Sequence, residues 1–229
     1  MRKYIIMGVQ GSGKGTQAKM LIEGFDLVHI SVGDVFRWHI QNHTKLAARI
    51  RRLMASGDLV PDETVEEVVK WRLDQHDWNF GFILDGFPRN RHQAAFFLES
   101  YDVDAVIQID VPDQVVVDRI QNRRLCSRCG LDYNLIFHRP VTAGVCDVCG
   151  GSLEARADDT PDAVLKRLAE YHVKTQPILE LFEKKGLIVT VDGTQPAAKV
   201  HEEVRRQLGL NAADVPASSG IRENSESHG

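Results

Sequence analysis

Cysteine is scarce in this sequence, with four residues among 229, all between Cys126 and Cys149. That excludes a fold stapled along its length by disulfides and marks one short stretch as chemically distinct. No apolar run approaches the roughly 18 residues that a membrane-spanning helix needs. Positive charge is not in excess either. The 28 Lys and Arg against 32 Asp and Glu leave a net charge of -4, which argues against a chain that wraps nucleic acid. The opening segment, residues 1–7, carries two basic residues, but Gly8 and Gln10 break its apolar stretch at once. A strand is expected there rather than a secretory leader, and the expected setting is the cytoplasm. What remains is the composition of a folded chain: 43% hydrophobic and 26% charged, enough to bury a core without cross-links.

Short apolar runs alternate with longer helical patterns, the signature of βαβ units and a parallel sheet. Five strands are expected, at Lys3–Met7, Leu27–Ile30, Phe82–Leu84, Ala105–Ile109 and Leu187–Val191. Ala18, Leu21, Ile22 and Phe25 have helical spacing after the first run. Val65, Val68, Val69 and Leu73 repeat it after Pro61, with Asp62 and Glu63 in the first turn. A later helix starts near Pro161 and runs towards Lys185, where Pro177 should kink or divide it. A last helix covers about 197–208. The closing stretch, 211–229, is rich in Ser, Asn, Ala and Gly and is expected to be a disordered tail.

The first strand runs into Gly8-Val9-Gln10-Gly11-Ser12-Gly13-Lys14-Gly15-Thr16, and a helix follows. Glycines let such a loop curl so that its N–H groups point inward around phosphate oxygens, and the helix N-terminus adds partial positive charge. Lys14 would reach the β- and γ-phosphates, and a hydroxyl would meet Mg²⁺. The strict pattern places Ser or Thr straight after Lys; here Gly15 intervenes and Thr16 supplies the hydroxyl. Strand, loop, lysine and helix in this order point to a nucleoside triphosphate.

Further segments make the resemblance specific. The loop at 8–16, then Ser31-Val32-Gly33-Asp34 with Arg37, then Asp85-Gly86-Phe87-Pro88-Arg89 with Gln93, resemble the adenylate kinase family. Asp118-Arg119-Ile120, Arg123-Arg124, Arg156 with Asp158-Asp159, Arg167 and Asp192-Gly193-Thr194 extend the likeness over about residues 1–209. The resemblance implies an α/β, P-loop NTPase-type five-stranded parallel sheet flanked by helices. It implies a core of 1–30, 61–121 and 160–210, a helical monophosphate-binding segment at 31–60 and an inserted zinc-ribbon-like lid at 122–159. The implied reaction is the reversible, Mg²⁺-dependent conversion of ATP and AMP to two ADP by a monomer, with no nucleic-acid or membrane partner.

That chemistry needs no general base, because the acceptor phosphate is already anionic; it needs positioning and charge neutralisation. The resemblance assigns Gly11, Ser12, Gly13, Lys14, Gly15 and Thr16 to the phosphates of ATP. Arg119 would cover the donor base, with Asp132, Tyr133 and Gln195 near its base or ribose. Arg37 and Arg89 would hold the acceptor phosphate through their planar forks of donors. Arg123, Arg156 and Arg167 would close over the transferring group, and Asp85 would hold water on Mg²⁺. Asp158 and Asp159 suit either a structural ion pair or a direct part in the reaction.

Acceptor choice rests on fewer groups. Gln93 matches the family amide that pairs with adenine, and an amide's one donor and one acceptor suit adenine's amino group and neighbouring ring nitrogen. Asp58, Leu59 and Val60 would flank that base, with Leu59 and Val60 holding the amide in one orientation. Val32, Gly86, Phe87 and Pro88 complete the expected AMP contacts. Val32 departs from the family pattern of Thr or Ser, Gln10 replaces the usual loop proline, and Gln195 stands where many relatives have lysine.

Cys126-x-x-Cys129 and Cys146-x-x-Cys149 have the spacing of two zinc knuckles, with Gly130 and Gly150 closing each turn. Two disulfides, a redox pair or an iron–sulfur centre are the alternatives. With all four ligands thiolate, no position stays open for a catalytic water, so the expected zinc is structural. The nine His are expected at the surface or as caps, and Trp38, Trp71 and Trp78 as packing residues. Two other functions compete with the favoured one. The first is a kinase of this fold with another nucleotide pair, such as GTP with AMP or a pyrimidine monophosphate. The second is a P-loop ATPase whose zinc ribbon binds nucleic acid, which the acidic balance disfavours.

Overall fold

The computed structural model describes residues 1–156 and 158–210, and the expected tail lies outside the described residues. Strands β1 (Lys3–Met7), β2 (Leu27–Ser31), β3 (Gly81–Asp85) and β4 (Ala105–Asp110) come first. An insert supplies β5 (Arg123–Cys126), β6 (Asp132–Asn134) and β7 (Leu153–Glu154), and β8 (Ile188–Asp192) completes the set. The five long strands form one parallel sheet in the order β2-β3-β1-β4-β8. All five expected strands are present, with ends displaced by no more than one residue.

The strands are apolar on both faces because both faces are covered. Tyr4 and Ile6 of β1 enter one core cluster while Ile5 and Met7 enter the other, and β4 divides Ile107 from Val106 in the same way. Helices α1 (Lys14–Gly24), α6 (Asp113–Gln121), α7 (Pro161–Glu170) and α9 (Ala197–Gln207) supply the first cluster. Helices α2 (Val32–Gln41), α3 (Lys45–Ser56), α4 (Asp62–Asp74), α5 (Arg91–Ser100) and α8 (Gln176–Lys184) supply the second. Ser31, Thr44, Asn90 and Thr160 cap α2, α3, α5 and α7 by accepting from the amide three residues on.

Pro177 divides the long helix as expected, and the division has a defined form. Proline offers no N–H and its ring crowds the carbonyl four residues back, so the α ladder cannot pass it. The chain widens into a single π turn at Tyr171–Thr175, where the Gln176 amide reaches Tyr171 instead. That turn places the Thr175 hydroxyl so that it donates to the Arg89 carbonyl at 2.7 Å.

The insert is a separate antiparallel sheet in the order β6-β5-β7. Its buried cluster contains only Cys126, Tyr133 and Cys146, with a few partly buried neighbours. Two expectations are corrected. Trp38 and Trp71 are 56% and 58% exposed, so neither is a packing residue of the core, because α2 and α4 turn those positions away from the sheet; Trp78, in the loop after α4, is 41% exposed. Trp78 keeps edge contacts to His76 and Phe82. His76 is itself buried, with Nε2 at 3.1 Å from the Phe80 carbonyl, rather than at the surface.

Gly8 shows why the first strand must end in glycine. Its φ is 143°, and an added Cβ would lie 2.5 Å from the Ile109 carbonyl oxygen. Gly8→Ala is expected to lower the unfolding free energy by about 2–4 kcal/mol in urea titration. A loss under about 1 kcal/mol would show that β4 can move aside.

Candidate active site

The carboxyl ends of the central strands open onto a cleft of about 1040 Å³, where open α/β sheets place their ligands. All the expected site residues other than the cysteines line it. One wall is the phosphate loop, whose Gly13 leads into α1. Lys14 is partly buried, and its Nζ donates to the carbonyls of Gly8 and Val9, both at 2.8 Å. The Ser12 hydroxyl is buried with no hydrogen-bond partner among the described residues. Asp85 ends β3 and faces His29 of β2, with Oδ2 at 3.5 Å from Nε2.

Arginines from five separate segments converge on this wall. Arg123, at the start of β5, makes a two-pronged pair with Asp159, at 2.9 Å and 2.6 Å. Arg156 pairs with Asp158 at 3.2 Å, and Arg167 of α7 with the same carboxylate at 2.9 Å. Gln10 joins the two systems: its Nε2 donates to Asp159 at 2.8 Å and its Oε1 accepts from Arg167 at 2.6 Å. Arg167 also donates to the Met54 carbonyl at 2.9 Å, tying α7 to the end of α3. Arg89 donates to the Gly86 carbonyl through Nε, and Arg37 pairs with Asp34.

On the far side, Arg119 donates to the carbonyls of Ser12 at 3.2 Å and Gly193 at 2.8 Å, with its guanidinium carbon 5.7 Å from the Phe137 ring centre. Asp132 reaches across to Lys19 of α1 at 3.4 Å. Tyr133 lines the cleft, but its hydroxyl is spent inside the insert. It donates to Cys146 Sγ at 3.5 Å and accepts from the Asp147 amide at 2.8 Å. Val32 is buried within the apolar cluster beneath α2.

The charges report the crowding. Burial lowers the Lys14 ammonium to about 8; Arg89, Arg123 and Arg156 add to the fall and Asp85 opposes it. Burial first, then the neighbouring arginines, holds Arg89 and Arg123 below the ordinary guanidinium value. Burial pushes the Asp85 carboxyl up, yet His29 and Lys14 together hold it below the usual carboxylate range. Burial acts the same way on Asp158, where Arg156, Arg167 and Arg37 outweigh it. A cleft with this many cations and a single ionised strand-end carboxylate suits a polyanion carrying a divalent cation.

The adenylate kinase family model matches residues 6–187. The chain belongs to the adenylate kinase family. It is 42% identical over 213 residues to the adenylate kinase of Caldicellulosiruptor saccharolyticus, which covers 91% of this chain and 99% of that protein. It is 44% identical over 210 residues to that of Clostridium tetani, covering 90% and 97%. The adenylate kinase of a Geobacillus species is 43% identical over 211 residues, covering 90% and 97%.

Within this adenylate kinase fold, sequence reasoning missed three polar groups. His29 passed as one scattered histidine, although the parallel register that pairs Ser31 with Asp85 brings it beside that carboxylate. Gln10 stood out only as a missing proline. Asp62 stood out only as a helix-start acid, yet it accepts from Gln93 Nε2 at 2.8 Å.

The Lys14 shift has a measurable consequence. A lysine whose folded pKa lies below its unfolded value costs stability while charged, and that cost is relieved as pH rises from about 8 towards 10.5. Without added nucleotide, the parent should gain roughly 1–3 kcal/mol relative to Lys14→Met between pH 7.5 and 10. Parallel urea-stability curves across that range would show that the ammonium is fully solvated.

Proposed function

We propose that this chain transfers the terminal phosphoryl group of ATP to AMP, reversibly, giving two ADP. The observation that carries this reading is the meeting, in one cleft, of a lysine-bearing phosphate loop, arginines from five segments and the buried amide of Gln93. Family membership supports it independently.

In the forward direction an oxygen of the AMP phosphate forms a bond to the γ-phosphorus. The bond from that phosphorus to the β,γ-bridging oxygen breaks, and ADP leaves with the electron pair. Lys14 and the loop amides hold the donor phosphates; Arg37 and Arg89 hold the acceptor phosphate; Arg123, Arg156 and Arg167 neutralise the group in flight. Releasing Asp158 and Asp159 frees those arginines at the moment a more highly charged partner arrives. Asp85 and Thr16 are the groups that would hold Mg²⁺, directly or through water. A Mg²⁺ ion held by these residues would supply charge neutralisation to the donor phosphates. Movement of 122–159 and 31–60 over the substrates keeps water from taking the phosphoryl group. The protein is read as a cytoplasmic monomer that requires neither nucleic acid nor membrane.

The four thiols fit zinc. Their sulfurs lie within 4.8 Å of one another, with Cys126–Cys149 at 3.3 Å and Cys129–Cys146 at 3.6 Å. Tetrahedral Zn–S bonds of about 2.3 Å require sulfurs about 3.8 Å apart, so little adjustment is needed. The amides of Arg128 and Cys129 donate to Cys126 Sγ at 3.4 Å, and Gly130 and Gly150 close the knuckles in the left-handed region. An added Cβ on Gly151 would lie 2.8 Å from Cys126 Sγ, so glycine makes room for the cluster.

Four measurements test the proposal. A coupled assay over a panel of nucleotide pairs should show AMP preferred over GMP, CMP and UMP. Lys14→Ala should cut turnover by about a hundredfold or more. CMP or UMP equal to AMP in kcat/KM would defeat the adenylate assignment. Elemental analysis of protein purified under reducing conditions should find about one zinc per chain. Chelation should lower Tm more than it weakens AMP binding; metal-free protein with unchanged Tm would remove the structural role.

A further inference from the structure

Gln93 is 1% exposed, lines the cleft, and has both ends of its amide tied to the protein. Its Oε1 accepts from the Arg89 backbone amide at 2.8 Å, and its Nε2 donates to Asp62 Oδ1 at 2.8 Å. A backbone N–H can only donate and an ionised carboxylate can only accept, so these two partners leave the amide one orientation. Asn90 is locked into the same circuit. Its Oδ1 accepts from the Gln93 backbone amide at 2.9 Å, which turns its Nδ2 to donate to Asp62 Oδ1 at 2.7 Å.

We propose that Asp62 is the positioning residue for acceptor choice, fixing the Gln93 amide so that adenine meets a complementary edge and guanine does not. This rests on the function proposed above. The anchored amide keeps one lone pair on Oε1 and one hydrogen on Nε2 for a base. Adenine brings an amino donor and a ring-nitrogen acceptor to that edge. Guanine brings a carbonyl acceptor and a ring N–H donor, and it would pair only if the amide rotated by half a turn. Rotation would set Nε2 hydrogens against the Arg89 N–H and Oε1 against the Asp62 carboxylate. Each such mispairing leaves a buried polar group opposed or unsatisfied. Packing by Leu59 and Val60 does not provide this, because an amide's oxygen and nitrogen are nearly the same size. Asp62 follows Leu59, Val60 and Pro61 directly, so the residues flanking the base and the residue orienting its partner share one short segment.

The test is the ratio of kcat/KM for AMP to that for GMP, at saturating ATP, in the parent, Asp62→Ser and Asp62→Asn. Serine suits a helix start but is too short to reach Gln93; asparagine keeps an acceptor oxygen at the same reach. The ratio should fall about tenfold in Asp62→Ser and stay within about threefold of the parent in Asp62→Asn. Equal slowing of AMP and GMP in Asp62→Ser would mean a structural role and would overturn the proposal. So would an equal loss of the ratio in both variants, since the acceptor oxygen survives in Asp62→Asn and would then be irrelevant. A parent that phosphorylates AMP no better than GMP is a different failure: it removes the adenylate assignment itself.

Discussion

Lys14, Arg89, Arg123, Arg156 and Arg167 all reach one cleft, and like charges gathered at that density raise the free energy of the fold unless something stands between them. Asp85, Asp158 and Asp159 do so, each beside at least one of these cations, and none of the three is fully exposed. The arrangement is stable because it is paired, and reactive because the pairing is replaceable. In the proposed reaction a polyphosphate brings more negative charge than one carboxylate, so it competes with Asp158 and Asp159 for the arginines. Lys14 makes the same point at smaller scale, since its ammonium rests on two loop carbonyls that a phosphate oxygen would outbid electrostatically.

The insert solves a different problem. Among its described residues, three side chains are buried in its own cluster, far too few to hold a sheet of such short strands. Four thiols from two turns are placed so that a bound metal would lend its binding free energy to a segment that lacks apolar area. Tyr133 is drawn into that economy: its hydroxyl joins one knuckle to the next, from Cys146 Sγ to the Asp147 amide. A residue expected to face the nucleotide therefore acts first on the stability of the segment that covers it.

What the sequence made legible follows from range. The phosphate loop, the knuckles and the five strands are each written in a few consecutive residues, so spacing alone located them. The break at Pro177 is local in the same sense. Asp62, Gln10 and His29 act across the fold, on partners 31, 149 and 56 residues away in the chain. Nothing in a run of residues announces such a pairing. Trp38 and Trp71 failed for a related reason: apolar character suggested packing, but α2 and α4 had already filled their inward faces with Phe36, Val65 and Val69.

Gln10 shows how one substitution in a local motif can acquire a long-range role. A proline at that position would keep the loop's shape but could offer neither of the bonds that Gln10 makes. Here the amide stands between Asp159, at the chain's return from the insert, and Arg167, which also holds the end of α3 through Met54. The donor loop, the insert and the acceptor segment thus share one hydrogen-bonded chain. Asp159 is also the carboxylate that holds Arg123, so a phosphate that draws Arg123 away leaves Gln10 as a remaining partner of that oxygen. In the proposed reaction, substrate at the loop would reach the arginines of both flanking segments through this path, which a proline could not provide.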